Sequence, residues 1–475
     1  MTQCNTKLIF NARLVDAERS VFGAVLTAGG VIAEVFEGNF TTAASCTKIL
    51  EKCGIPQGRH GNIERIEYID GRGLTLEPAF IDMHAHFRYP GAGDDETLES
   101  GLAAATAGGY TALVLMPNTK PPISDMLTVQ RIEQEAANIS ASMKKNAGFA
   151  RVIQSMTITK NFSGTDTSHL DDSDCMSDIT LSPLVTEDGR DVANPDVLLD
   201  AMKKCAKKNI IVACHCEDAL LAERAKAHRL AFLQSAQDAE LTRANEFLAQ
   251  AEDVATKRNL ELAENAQCRV HICHVSTKNA ISAVKETKKR GTTQVTCEIT
   301  PHHLALCVDS ETSVSANATA AAENLRRIVN PPLRFLRDID ALHAALADGT
   351  ADVISTDHAP HTLAAKNAGA PGFPGLETAF AVCNTVLVKG GILSENALSQ
   401  KMSLNPARIL ALEKCPNADG KCAPQHGLIK KGWNAKFVLL DPNETWTVHS
   451  KNFFTKGALS PFDNMTLTGR VTAVI

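Results

Sequence analysis

The sequence predicts an α/β fold, a (β/α)₈ TIM barrel joined to a small β domain built from both chain ends. Three observations point there. From about Thr75 short apolar runs alternate with longer amphipathic ones, eight such runs can be found in succession, and strand-like runs bounded by turn residues occupy both the start and the end of the chain. The expected division is residues 1–74 and 425–475 for the two parts of the β domain and 75–415 for the barrel.

The opening strands are Lys7 to Phe10, Gly23 to Leu26 and Val31 to Phe36, separated by glycine-bearing turns. Residues 41–62 show no clear period and are expected to form a surface insertion; 161–177 and 310–322, polar or alanine-rich, are expected to be loop insertions. The eight barrel strands are expected at Pro78 to Met83, Tyr110 to Met116, Arg151 to Ile158, Ile179 to Thr186, Ile210 to Cys214, Arg269 to Cys273, Thr293 to Ile299 and Ala351 to Thr356. Between them Asp94-Asp95 can cap a helix running to Gly108, and Asn194-Pro195 opens one that reaches Lys208. Ala219 to Glu264 reads as a long charged helical excursion. Ala435 to Leu440 and Thr468 to Ile475 return to strand.

Composition narrows the function. The 475 residues are 44% hydrophobic, enough for a large core, and 48 basic against 54 acidic residues leave a formal charge of −6. No basic field exists to gather nucleic acid or an anionic membrane, so a small-molecule substrate is expected. Met1 to Leu14 lack a secretory pattern, and the uncharged stretch Gly101 to Thr119 is broken by Gly108-Gly109; a cytoplasmic protein is expected. In that setting the 14 cysteines read as free thiols. A homodimer is compatible with the sequence without being dictated by it.

The chemistry lies at the strand ends. His84 and His86, two apart after the first strand, project to one side and converge two imidazoles on one point. Asp188 follows the fourth strand, His215 the fifth, His274 the sixth and Asp357 the eighth. Each alone has an ordinary explanation: a rim ion pair for His215, a core histidine for His274, a turn for Asp188, a helix cap for Asp357. Together they would face one mouth of the barrel, where such folds keep their active sites. Histidine and carboxylate ligation without thiolate suits a hydrolytic zinc site with an open position. Cys214 and Cys216 flank His215 and should point away from it. The His302-His303 pair can equally support the seventh strand end.

Seven stretches, in order, carry a resemblance: Phe80 to Arg88, Met116 to Thr119, His215 to Asp218, His274 to Thr277, Asn330 to Arg334, Thr356 to His361 and Gly375 to Thr378. In these the chain resembles the amidohydrolase superfamily and, within it, the dihydroorotase family, over about residues 75–410. The resemblance implies zinc, one or two ions per subunit, with His84, His86 and Asp357 on one ion and His215 and His274 on a second. Many superfamily members bridge the ions with a carboxylated lysine; no lysine occurs between Asn161 and Met202, so Asp188 takes that place. The resemblance makes Asp357 the catalytic base, puts Arg88, Asn118 and His361 on a substrate carboxylate and Asn330 on the ring, and sets Lys366, Phe373, Pro374 and Gly375 in a loop near the substrate. The implied reaction interconverts dihydroorotate and N-carbamoyl-aspartate in pyrimidine biosynthesis. A dihydropyrimidinase, hydantoinase or allantoinase would bring the bridging lysine and would not need Arg88; a non-catalytic scaffold relative would have lost ligands.

Overall fold

A computed structural model describes residues 6–54, 66–91, 93–143, 150–171, 184–235, 238–308, 327–414 and 424–475. Its strands are β1 (Thr6–Val15), β2 (Ser20–Ala28), β3 (Val31–Glu37), β4 (Ile66–Asp70), β5 (Thr75–Pro78), β6 (Phe80–Ala85), β7 (Tyr110–Leu115), β8 (Arg151–Gln154), β9 (Met156–Thr157), β10 (Leu184–Thr186), β11 (Ile211–Cys214), β12 (Val270–Ile272), β13 (Val295–Ile299), β14 (Val353–Ile354), β15 (Phe437–Thr447) and β16 (Thr466–Val474).

Strands β6 to β14 form two parallel sheets, ordered β6-β7-β8 and β14-β13-β12-β11-β10-β9. Only Ser155 separates β8 from β9, and its backbone and hydroxyl both bond the Leu115 carbonyl. At the other end a parallel bridge pairs Ala85 with His358, whose carbonyl accepts from His86 N at 2.7 Å. The strands read as nearly continuous apolar runs because parallel strands are covered on both faces. Every residue of β6, β7 and β11 is buried. Alternate side chains divide: Ile81, Met83, Ala112, Val114, Ile211 and Ala213 pack together, while Leu113, Leu115, Val212 and Cys214 pack with helical residues such as Leu198, Ala201, Met202 and Cys205. Those four lie at i, i+3, i+4 and i+7 of the helix Pro195–Lys207, capped by Asn194. Each large apolar side chain so buried contributes about 1.5–3 kcal/mol relative to exposure. Gly109, at φ +87°, turns the chain into β7 where a Cβ would come 3.0 Å from the Phe80 ring.

The chain ends share a seven-stranded sheet, in which β5 pairs with β1 on one side and with β15 on the other. Two expectations are corrected. The insertion expected at 41–62 contains a helix, Ala43–Lys52, capped by Thr42, with Cys46, Ile49 and Leu50 packed on Leu8, Ala24 and Leu26. The helix before β7 runs Leu98–Ala107 and is capped by Thr97, paired with Ser100, rather than by Asp94-Asp95. Asp95 instead accepts from Thr362 N at 2.8 Å, tying that loop to the loop after β14. The excursion after His215 is two helices, Ala219–Ser235 and Asp238–Ala266. The 161–177 stretch shows two short helical turns before residue 172, and the 310–322 stretch lies outside the described residues. No described helix is long and apolar enough to cross a membrane, and the described cysteines are free.

Candidate metal centre

The six residues expected at the strand ends come together. Asp188 is the hub: its Oδ1 lies 3.3 Å from His84 Nε2, 3.3 Å from His215 Nδ1 and 3.7 Å from His274 Nε2, and its Oδ2 lies 3.3 Å from His86 Nε2. Asp357 Oδ1 approaches His86 Nε2 at 3.1 Å and His84 Nε2 at 3.6 Å. All six are buried. The sets His84–His86–Asp188 and Asp188–His215–His274 each gather donor atoms closely enough for one ion. The backbone is strained here: Arg88, His274 and Asp357 hold φ of +56°, +31° and +47°. Such conformations cost about 1–3 kcal/mol each and persist where the surroundings dictate them.

The electrostatics fit a cation. Burial disfavours charge on His84 and His215, yet Asp188, with Glu298 beside His84 and Glu217 beside His215, outweighs it and holds both rings well above their ordinary value. Burial likewise pushes the Asp188 and Asp357 carboxyls up, and the neighbouring imidazoles overcome it, holding them below the usual range. At His84 and His215 the field therefore favours positive charge, whereas burial and then Arg88 lower the His86 ring. Two of its atoms, His84 Nε2 and Asp188 Oδ1, are buried without a hydrogen-bond partner among the described residues, and an ion between them would satisfy both.

Supporting contacts orient the rings. His84 Nδ1 meets Glu298 Oε1 at 2.7 Å, and Glu298 also accepts from His271 Nε2 at 3.1 Å. Asp82 accepts from His84 N, Thr356 N and the Thr356 hydroxyl, which locks the end of β6 to the residues after β14. Neither Glu298 nor Asp82 was assigned a role from sequence. Glu298 had a signal, being the sole charged residue in the Thr293 to Ile299 run.

The expected substrate contacts stand around this cluster. Arg88 is largely buried with its Nε unpartnered, and it makes no ion pair among the described residues. His361 Nε2 donates to the Pro371 carbonyl at 2.8 Å, so the 3.2 Å approach of Arg88 Nη2 to that nitrogen sets donor against donor and is not a hydrogen bond. Burial, then Arg88, lowers the His361 pKa to about 4, which keeps the ring neutral. Asn118 has both ends engaged, its Oδ1 with His86 Nδ1 at 3.0 Å and its Nδ2 with Asp188 Oδ2 at 3.0 Å. Gly375 donates its N–H to His358 Nδ1, and a Cβ there would lie 3.0 Å from the Thr356 carbonyl, so glycine permits the close approach. Asn330 bonds Glu217 at 2.7 Å. Lys366 is buried, its ammonium bound to three carbonyls of the surrounding loops. His303 bonds Thr300 and the Pro331 carbonyl, a supporting role, whereas His302 is buried against His303 and Phe373 with its Nε2 unpartnered among the described residues. Cys214 and Cys216 are packed among apolar side chains. A cavity of about 690 Å³ lies elsewhere, lined by residues such as Asn245, Lys278, Arg327 and Phe335, and none of the six cluster residues lines it.

Residues 73–280 match the family described as dihydro-orotase-like. A dihydroorotase of Clostridium botulinum (strain Eklund 17B / Type B) is 34% identical over 468 residues, covering 98% of this chain and 97% of that protein. The chain belongs to the dihydroorotase family. Within that family a dihydroorotase of Bacillus cytotoxicus is 36% identical over 406 residues, covering 84% of this chain and 85% of its own length. Among solved structures, an L-hydantoinase (dihydropyrimidinase) of Arthrobacter aurescens superposes with a TM-score of 0.77 over 99% of this chain and 94% of that one, at 20% identity, a likeness of fold.

Proposed function

We propose that the chain is a zinc-dependent dihydroorotase, which hydrolyses the cyclic amide of (S)-dihydroorotate to N-carbamoyl-L-aspartate and reverses that reaction. The observation that carries the substrate is Arg88: a guanidinium largely removed from water, with Nε unpartnered, beside a cluster of buried imidazoles and carboxylates. Dihydroorotate differs from dihydrouracil essentially by a carboxylate, and a planar guanidinium fork suits that group.

His84, His86 and Asp357 would hold one ion, His215 and His274 a second, with Asp188 between them. When bound, a divalent cation supplies Lewis acidity, polarising the amide carbonyl and acidifying water from a pKa of about 16 to about 7. Asp357, ionised and buried, takes the proton of the attacking water and hands it to the ring nitrogen as the C–N bond breaks. Arg88 binds the substrate carboxylate, and His361, whose Nε2–H meets the Pro371 carbonyl, joins it by turning that donor to the substrate; Asn330 and the Gly375 loop hold the ring. Asn118, with Oδ1 on His86 and Nδ2 on both Asp188 Oδ2 and the Asp188 carbonyl, fixes His86 and Asp188, and reaches the substrate carboxylate by giving up one of its Asp188 bonds.

The near-meeting of the two parallel sheets at Ser155 and at the Ala85–His358 bridge supports their closure into one (β/α)₈ barrel, residues 75–415. Residues 1–74 and 425–475, together with β5 (Thr75–Pro78), then form the lesser β domain, and the barrel strands begin at β6. The test is a spectrophotometric assay of purified protein on dihydroorotate, with zinc determined on the same sample. Turnover that is lost on chelation and restored by zinc supports the reading; a fully active metal-free preparation overturns it.

A further inference from the structure

Four consecutive residues between β15 and β16, Phe454 to Gly457, touch all three loops that carry Arg88, His361 and Gly375. On the loop after β6, Glu96 accepts from the Thr455 hydroxyl and from Lys456 N at 3.3 Å, and the Gly93 carbonyl accepts from the Lys456 ammonium. Beside Gly375, Glu377 Oε1 accepts from Phe454 N at 2.8 Å and from Thr455 N at 3.3 Å. On the loop after β14, Gly457 lies so close to His361 that a Cβ would come 2.6 Å from its nitrogen and 2.8 Å from its carbonyl oxygen. Space alone dictates glycine there.

Arg88 and His361 need such support. Arg88 Nη2 and His361 Nε2 stand 3.2 Å apart with donor facing donor, an approach that the side chains resist and the backbones must enforce. Arg88 makes no ion pair among the described residues that could fix its aim. The backbone around Asp357, by contrast, has a fastening of its own: Asp82 accepts from Thr356 N and the Thr356 hydroxyl, and the His358 carbonyl accepts from His86 N at 2.7 Å. That fastening ends at His358, and three residues further on His361 rests on Gly457.

We propose that the segment Phe454–Gly457 is a strut for substrate binding, in which Thr455 and Gly457 are positioning residues that hold the Arg88 and His361 loops at the spacing a carboxylate requires. The inference rests on the dihydroorotase reading above and adds to it the element that sets the grip on the carboxylate. An anion placed between two opposed donors relieves them both, so the strut keeps the site in the form that the substrate completes.

Gly457→Ala tests it on the zinc-loaded enzyme with dihydroorotate as substrate. The added Cβ must push the His361 backbone away by roughly 1 Å to reach ordinary contact, and a misplacement of that size costs on the order of 10²-fold. KM should rise about 10- to 100-fold, with kcat within a few-fold of wild type and bound zinc unchanged, because the backbone around Asp357 keeps its own fastening. Thr455→Val, which removes the bond to Glu96, should raise KM about 3- to 10-fold, and Thr455→Ser, which restores the hydroxyl, should bring it back. In an Arg88→Met background, where the grip is already lost, Gly457→Ala should add less than about 3-fold. The proposal is overturned by unchanged KM in Gly457→Ala and Thr455→Val, by effects that multiply with Arg88→Met, or by a fall in zinc and kcat at constant KM. Should Gly457→Ala not fold, the two Thr455 variants decide by the same outcomes. A wild type inert toward dihydroorotate overturns the dihydroorotase reading and this one with it, whereas an active wild type whose variants lose only stability overturns this one alone.

Discussion

Around Asp188 the histidines fall into two pairs, and the pairs differ in what holds the far nitrogen of each ring. His84 Nδ1 is 2.7 Å from Glu298 and His86 Nδ1 3.0 Å from Asn118. On the other side, His274 Nδ1 has no partner among the described residues, and His215 Nε2 meets only the Asn330 amide nitrogen at 3.3 Å and Glu217 at 3.7 Å. Partners of this kind fix a ligand's tautomer and direction and are worth about 10- to 100-fold in metal affinity. If the cluster holds two ions as proposed, the sites would be of unequal strength: the His84–His86 side has its rings set in advance, and the His215–His274 side would be arranged more by its ion.

The largest effect is expected at the better-held side. Asp357→Asn keeps the shape but cannot take a proton, so kcat should fall about 10²–10⁴-fold with the circular dichroism spectrum unchanged. A variant within a few-fold of wild type would remove Asp357 from the reaction. Next comes Arg88→Met, which leaves both pairs intact and removes the cation meant for the substrate. Losing one partner of a buried charge pair costs about 2–5 kcal/mol, so kcat/KM for dihydroorotate should drop on the order of 30-fold to a few thousand-fold at full zinc content. The wild type should correspondingly reject dihydrouracil and hydantoin, and comparable kcat/KM for dihydrouracil would favour a dihydropyrimidinase-like enzyme.

Smaller changes address the inequality directly. Glu298→Gln should weaken the first zinc about 10- to 100-fold, while Asp188→Ala should lower occupancy of the second; competitive chelation followed by metal analysis distinguishes them. If the wild type releases two ions in a single step, or if Glu298→Gln leaves the tighter ion untouched, the two sides are equivalent after all. The smallest expected effect is a control. Thr97→Ala removes a helix cap next to Glu96, whose carboxylate meets His358 at 3.2 Å. It should cost about 0.5–2 kcal/mol in urea unfolding with kcat/KM unchanged. A matching loss of activity would mean that the larger effects report global stability.

The six strand-end residues were legible in the sequence because parallel strands bring their ends together whatever the length of chain between them. Periodicity located the strands but exaggerated them: the run expected over Ala351 to Thr356 holds only Val353–Ile354 in strand, since its later residues turn to present Asp357. The helix at Ala43–Lys52 was missed although Cys46, Ile49 and Leu50 carry its spacing, because lysine and threonine dilute a short amphipathic stripe. Asp94-Asp95 resembled a cap, but a cap needs its side chain over the first turn, and Thr97 with Ser100 occupies that place. Glu298 and Glu217 could be seen in the sequence without their partners, which lie on other strands and appear only once the chain is folded.

Strand β5 lies between β1 and β15, so its second edge is filled by residues made some 360 positions later. During synthesis the opening strands can pair among themselves, yet β5 must wait with bare backbone groups while the whole catalytic portion is translated. Contacts so distant in sequence form slowly, and an unpaired edge invites association with other chains. The same late segment supplies Thr455, whose hydroxyl bonds Glu96 beneath His358. A ribosome stalled before β15 would therefore hold all six side chains of the cluster around Asp188 and still display a sticky, unfinished protein.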